Sequence, residues 1–290
     1  MSGGNKNWFA ITSSSDGTKL AAVSNNIWTS TDSGGTWTEG PVNTKDKYWQ
    51  AIASSSDGTK LAAAVWNGAI WTSADSGATW TERTVGLPTG SAVGAYPAPF
   101  WNAIASSSDG TNLAAGAYPG GPDVAGDGNI YTSADSGGTW TERTVKAATE
   151  GERDCGSIAS SSDGTKLAAV AWGCSIWTST DSGGTWTKRF VEGGNGKWEA
   201  IASSSDGTKL AAVATGGNIW TSADSGGTWT ESPVKGGGKK WVDIASSSDG
   251  SKLAAVVSAD CKFRPGVPSE CAGGAFWTST DGGQTWTESV

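Results

Sequence analysis

The sequence predicts an all-β fold, a six-bladed β-propeller with four antiparallel strands per blade. Three observations carry that expectation. The pattern Ser-x-Asp-x-Gly-x-Thr-Trp recurs six times, with its carboxylates at Asp32, Asp75, Asp135, Asp181, Asp224 and Asp281. Each recurrence belongs to a longer unit in which four short apolar runs alternate with turn residues, the spacing of a repeat array. No stretch sustains a 3.6-residue apolar period, so almost no helix is expected.

Composition looks at first unsuited to a packed core. Leu, Ile, Val and Phe together make 39 of 290 residues, low enough to resemble a disordered chain. Eighteen Trp overturn that impression, since each can bury about 150–250 Å². The expected core is therefore Trp, Ala, Ile and Val, with Ser, Thr and Gly filling narrow gaps. The net charge of −8 comes mostly from turns, because every repeat carries two turn aspartates such as Asp16 and Asp32. It does not mark a partner. No basic stripe suggests nucleic acid, and no apolar run approaches the length of a membrane span. Met1-Ser2-Gly3-Gly4 leads directly into the first strand without a signal peptide, and Met1, the sole methionine, reads as an added start codon.

Each repeat opens with strand A: Trp8 to Ile11, Trp49 to Ile52, Trp101 to Ile104, Cys155 to Ile158, Trp198 to Ile201 and Trp241 to Ile244. Cys155 stands where the other five have Trp. A Ser-Ser-Ser-Asp-Gly turn follows, a hairpin signal between apolar runs. Strand B is Lys-Leu-Ala-Ala-Val or a near copy. Strand C is Ile-Trp-Thr-Ser, with Tyr131 and Phe276 as departures. The Ser-x-Asp-x-Gly-x-Thr-Trp turn then leads into strand D, Thr-Trp-Thr-Glu. In that turn Ser and Asp side chains can bond to backbone N–H groups, Gly supplies a dihedral other residues resist, and Trp plugs the turn onto the sheet.

The blades are expected at about 8–40, 49–87, 101–146, 155–192, 198–235 and 241–290, in one domain spanning 1–290. The A–B and C–D connections are short and nearly invariant, so they share one face, the bottom. Connections B–C and D–A must emerge on the top, and every insertion falls there: Gly116 to Asn129, Val257 to Ala275, Arg83 to Phe100 and Arg143 to Asp154. Insertions in repeat proteins collect on the face free to bind. Because the chain starts with strand A and ends with strand D, ring closure is expected to pack complete blades together without an exchanged strand.

The unit Trp-x-Ala-Ile-Ala-Ser-Ser-Ser-Asp-Gly followed by Ile-Trp-Thr-Ser-x-Asp-Ser-Gly-x-Thr-Trp resembles the Asp-box repeats of bacterial-neuraminidase-type propellers, across residues 8–290. It is most similar to photosystem II stability/assembly-factor-like repeats and to sortilin-type and sialidase-type propellers. The A–B turn also resembles WD-type blades, which implies that strand A is innermost. The resemblance is specific for fold and poor for function, since these families bind peptides, assemble membrane complexes or cleave sugars.

Four cysteines remain. Cys261 and Cys271 share the insertion of repeat six, and Cys155 and Cys174 lie near the top of repeat four. Pairing within each repeat is the local connectivity among three, and disulfides imply an oxidising, extracellular setting. Metal binding is the rival reading, without a CxxC spacing or a His to support it.

With no His, serine- and cysteine-type triads and His-ligated metals are excluded. The resemblance to sialidases implies an arginine clamp. However, Arg83, Arg143 and Arg189 follow strand D on the outer edge, and Arg153 and Arg264 lie in loops. The remaining catalytic candidates are Glu199 and Asp243, on strand A of adjacent repeats near the channel mouth. Two carboxylates flanking a groove suit glycosidic acid/base work or, with loop oxygens, Ca²⁺. The alternative is two solvated side chains at a wet channel.

Trp101, Trp198 and Trp241 are the candidate ligand platform, with Glu199 and Asp243 fixing orientation. Trp66, Trp172, Tyr48, Tyr96, Phe100 and Tyr118 stand near the top loops. The competing reading packs each strand-A Trp between neighbouring blades. Six alike blades give no reason for a single active site. The expectation is a non-enzymatic module that recognises a glycan or protein on the top face, secreted and without a cofactor. The alternatives are a glycoside hydrolase or lyase and, by resemblance alone, a photosystem-assembly-type factor.

Overall fold

The turns explain why each repeat folds into a blade. In the computed structural model, the Asp32 carboxylate accepts hydrogen bonds from Thr36 N–H at 2.7 Å, Thr36 Oγ1 at 2.7 Å and Ser30 Oγ at 2.8 Å. Ser30 Oγ in turn accepts from Gly34 N–H, and Trp37 Nε1 donates to the Gly34 carbonyl. Ser33 and Gly34 hold φ of 56° and 86°, the left-handed pair that reverses the chain. The same carboxylate clamp closes the turns at Asp75, Asp135, Asp181, Asp224 and Asp281. On the A–B side Asp16 does similar work, accepting from Ser14 Oγ at 2.6 Å and from Thr18 N–H at 3.0 Å.

The structure describes residues 7–83, 85, 99–118, 129–143, 155–171, 175–194, 196–232, 234–235, 238–264, 267–272 and 274–289. Between the turns run six four-stranded antiparallel sheets, each ordered A-B-C-D. Strands A are Ala10–Ser13, Trp49–Ser54, Phe100–Ser106, Cys155–Ser160, Trp198–Ser203 and Trp241–Ser246. In blade two, Trp49–Ser54, Leu61–Val65, Ile70–Ser73 and Thr81–Arg83 align so that Ile52, Ala63, Trp71 and Glu82 face one another across the sheet. The insertion of blade six folds back as a separate hairpin, Asp260–Arg264 with Val267–Ala272. Among the described residues the only helical piece is a single 3-10 turn, Val42–Thr44. No helix is long and apolar enough to cross a membrane.

Successive blades approach each other through strands A and B, which places strand A innermost. The hydrophobic core is accordingly divided among the blade seams. Between blades one and two, Ala21, Val23 and Ile27 meet Trp49, Ile52, Leu61, Ala63 and Trp71. Between blades five and six the same positions recur as Ala211, Val213 and Ile219 against Trp241, Ile244, Leu253, Ala255 and Trp277. The other three seams repeat the pattern. A ladder of backbone bonds ties the bottoms of the blades: Ser15 to Ser56, Ser56 to Ser108, Ser108 to Ser162, Ser162 to Ser205 and Ser205 to Ser248, each 2.7 Å.

Among the described residues no strand is exchanged between the first and last blades. The seam between them nevertheless differs from the expected closure, because it is not packed. Within the described residues the serine ladder ends at Ser248 without returning to Ser15. Phe276 is 63% exposed, whereas Ile219 at the same position of blade five is 0%. Ile11 is 64% exposed, against 7% for Ile52.

Candidate binding surface on the insertion-bearing face

Strand A carries a recurring irregularity near its top end. In blades two to six the register slips by one residue after the opening position, so that Gln50, Asn102, Gly156, Glu199 and Val242 have no Cα partner on strand B. A bulge re-aims the side chain it carries, and bulges concentrate at rims and functional sites. Here the bulged position sits near the start of the innermost strand, and it holds a different residue in every one of these blades. The Ile two residues on is the same in all of them. Sequence patterning did not reveal the bulge, although its signal was present as the variable residue in Trp-x-Ala-Ile.

Glu199 is one of these bulged residues. Its carboxylate accepts a hydrogen bond from Thr215 Oγ1 at 2.7 Å, and the same hydroxyl lies 3.3 Å from the Trp241 carbonyl of the next blade. Glu199 is therefore oriented at the seam between blades five and six. Asp243 occupies the following position of strand A in blade six, and its Oδ1 accepts from Ile244 N–H at 2.8 Å. Burial pushes its carboxyl above the ordinary carboxylate range, and the Ile244 bond opposes that shift only in part. Asp243 is nonetheless an exposed residue of its strand, so its burial is partial and solvent weakens the upward shift. Among the described residues no three Asp, Glu, Cys or His side chains gather as a metal cluster.

The proposed tryptophan platform is placed differently. Trp101, Trp198 and Trp241 are 0%, 1% and 0% exposed. They lie inside the seam cores, and they present no ring face to a ligand. Trp101 Nε1 donates to the Gly68 carbonyl at 2.9 Å, and Trp241 Nε1 to the Gly217 carbonyl at 3.2 Å. The reason is spacing: a large ring at the start of an inner strand fills the wedge between diverging sheets and is enclosed by both. Accessible aromatics occur instead above blades two and three. Trp66 and Phe100 pack with centroids 5.1 Å apart and ring planes tilted by 53°, the Trp66 backbone N–H donates to the Tyr48 carbonyl at 2.7 Å, and the Tyr48 side chain is exposed. Tyr96, Trp172 and the Tyr118 side chain lie outside the described residues. The structure thus separates the expected site into an aromatic patch on blades two and three and a carboxylate patch on blades five and six.

The arginines do not form a clamp. Arg83, Arg143 and Arg189 end strand D, and each donates from Nε to the Thr of its own strand C, Thr72, Thr132 and Thr178, at 2.7–2.8 Å. Arg264 ends a strand of the blade-six hairpin, and Arg153 is outside the described residues. Of the cysteines, the hairpin register sets Cys261 directly opposite Cys271. Cys155 begins strand A of blade four, and Cys174 is outside the described residues. The cavities are crevices between neighbouring blades near the C–D turns, such as one of about 280 Å³ lined by Lys209, Thr221, Thr228, Gly250 and Asp281. Similar crevices recur between other blades, which marks them as a product of blade packing.

These features define a β-propeller of six four-stranded blades. No family model and no curated protein matches the chain. Solved structures do. YCF48 bound to D1 peptide aligns with a TM-score of 0.64 at 18% identity, over 98% of this chain and 82% of that one. A GH74 enzyme from Niastella koreensis gives 0.71 at 19% identity, over 99% of this chain but only 45% of the enzyme. U3-55K gives 0.69 at 10% identity, covering 99% and 82%. At these identities the likeness is one of fold.

Proposed function

We propose that this protein is a non-enzymatic recognition module that binds a peptide segment or glycan on its insertion-bearing face, in an oxidising, extracellular setting. The observation that carries this reading is the bulged position of strand A. It differs in every blade that has it, whereas the turns, the seam residues and the outer strands repeat. A repeat protein that varies one inward-lying position per blade beneath its longest loops has the layout of a binding surface. Glu199 and Asp243 are the polar groups that would orient a ligand. Trp66, Phe100 and Tyr48 would supply apolar contact, with the seam tryptophans supporting the surface from below. A neighbour of the same fold captured with the D1 peptide favours a peptide. Nothing beyond that likeness supports a photosystem-assembly role.

A second reading is supported by the raised carboxyl of Asp243, which suits a general acid, with Glu199 on strand A of the adjacent blade as the second carboxyl group. The fold shared with a GH74 enzyme makes glycoside cleavage the reaction to test. Peptide and glycan arrays should be run beside a chromogenic glycoside panel, on the full chain and on the Glu199→Gln/Asp243→Asn double variant. Binding that weakens in the double variant, with no turnover in either protein, supports recognition. Turnover lost in the double variant makes the protein a hydrolase. Binding that survives both the double variant and deletion of the two B–C insertions places the site elsewhere.

A further inference from the structure

The unpacked seam is a built surface. At the five packed seams the forward face of one blade (an Ala and a small apolar residue on strand B, an Ile on strand C) meets the backward face of the next. That backward face is the strand-A Ile with Leu and Ala from strand B, joined by the strand-A Trp in every such blade but the fourth, where Cys155 stands in its place. Blade six presents the forward face as Ala254, Val256 and Phe276, and blade one the backward face as Trp8, Ile11 and Leu20. Neither has collapsed. Trp8 meets Trp28 edge-on at 6.3 Å and 77°, as Trp49 meets Trp71 at 6.2 Å and 74°. A Cβ placed on Gly58 or Gly110 would come 2.8 Å from the lysine side chain of the preceding blade, whereas at Gly17 nothing lies within 4 Å. Both faces are complete, and among the described residues both lack their neighbour.

We propose that this seam is a docking site for one further four-stranded blade carrying the same repeat. Every internal blade offers the two required faces on its opposite sides. Blade five does so with Trp198 and Ile201 behind and Ala211, Val213 and Ile219 in front. Closing blade six directly onto blade one needs a turn of about 60° per blade, whereas admitting one more blade needs about 51°. The five existing seams are packed, and among the described residues blade six is not packed on blade one. Tightening them would disturb five interdigitated cores at once, and packed cores resist such changes. A second copy of the chain would bring five attached blades along with the one that docks, so a single blade is the better fit. Exposed apolar surface of this extent is itself the mark of an interaction site.

The test extends the full chain after Val290 with a second copy of residues 190–232, the connection into blade five and blade five itself. The expected result is a monomer whose melting midpoint rises by roughly 5–10 °C. Binding of a hydrophobic dye should fall away and Trp8 should become shielded from acrylamide. The same extension carrying Asp at its copy of Ile201 should reverse all three. Hydrogen exchange on the unextended chain gives a readout independent of whether the extension folds. Strand Ala10–Ser13 should exchange at least tenfold faster than Trp49–Ser54. Equal protection of the two strands in a monomer would mean that blade six closes on blade one. Protection that appears only with concentration-dependent dimerisation would make a second copy the occupant. Either result overturns the proposal, as does an extension that folds without shielding Trp8.

Discussion

Substituting the same residue at the same repeat position in two blades separates burial from every other variable. Ile201 lies in the seam between blades four and five at 5% exposure, and Ile11 is its counterpart in blade one at 64%. Ile201→Ala removes buried methyl and methylene groups from a close-packed cluster, a change that costs about 2–5 kcal/mol through lost transfer energy and the cavity left behind. Ile11 has surrendered only about a third of its surface, and its truncation leaves no enclosed void. Scaling the roughly 1.5–3 kcal/mol of a fully buried side chain by that fraction gives about 0.5–1 kcal/mol. At about 2–4 °C per kcal/mol for a chain of this size, the melting midpoint should fall by roughly 4–20 °C for Ile201→Ala and by 1–4 °C for Ile11→Ala. Calorimetry on both variants, with urea titration as a second probe, measures the difference. Equal losses would show that the first blade is packed on both sides, and the argument from an unpacked seam would fail.

Four other outcomes follow from the same geometry. The turn carboxylates are held low by hydrogen bonds, first those from Ser14 and Thr18 at Asp16 and from Ser55 and Thr59 at Asp57, both brought to about 2. Because the folded value is lower than the unfolded one, their stabilisation is present above the ordinary carboxylate range and is lost as pH falls from about 4 through 2. Melts across that window should show the loss, and Asp16→Asn should reduce it by the share of one turn, leaving the other turn carboxylates to titrate as before. Asp243 has the opposite sign, since its raised value means that ionisation opposes folding at neutral pH. Asp243→Asn, which keeps an acceptor for Ile244 N–H, should leave the midpoint at pH 7 unchanged or higher, and a drop would refute the assigned cause. Trp101→Phe keeps most of the seam packing but loses the Nε1 bond to Gly68, and should cost at least the roughly 0.5–1.5 kcal/mol of one hydrogen bond in urea unfolding. Non-reducing peptide mapping after oxidative folding should find Cys261 joined to Cys271 and Cys155 to Cys174. The first bridge closes a short loop worth only about 2–3 kcal/mol in the chain-entropy model, so reduction should loosen the hairpin without melting the blades.

Local chemistry made the blade legible without a structure. Asp32 and Ser30 specify their turn through contacts within five residues, and alternation along Trp-x-Ala-Ile states which residues turn inward. Strand order, blade count and the face bearing the insertions all follow from such short-range rules repeated six times. What the repeat could not reveal is anything that depends on where two distant segments finally stand. Trp101, Trp198 and Trp241 looked like a platform because their position near the top was readable, whereas their enclosure depends on the wedge between two separate sheets. Tyr48, Trp66 and Phe100 came together, and Glu199 came to rest on Thr215, through tertiary placement. The seam is the clearest case. Ile11 and Ile52 hold the same position of the repeat, yet one is exposed and the other covered. An apolar face is covered only where a neighbouring blade stands against it, and that placement lies outside the short-range chemistry of any single repeat.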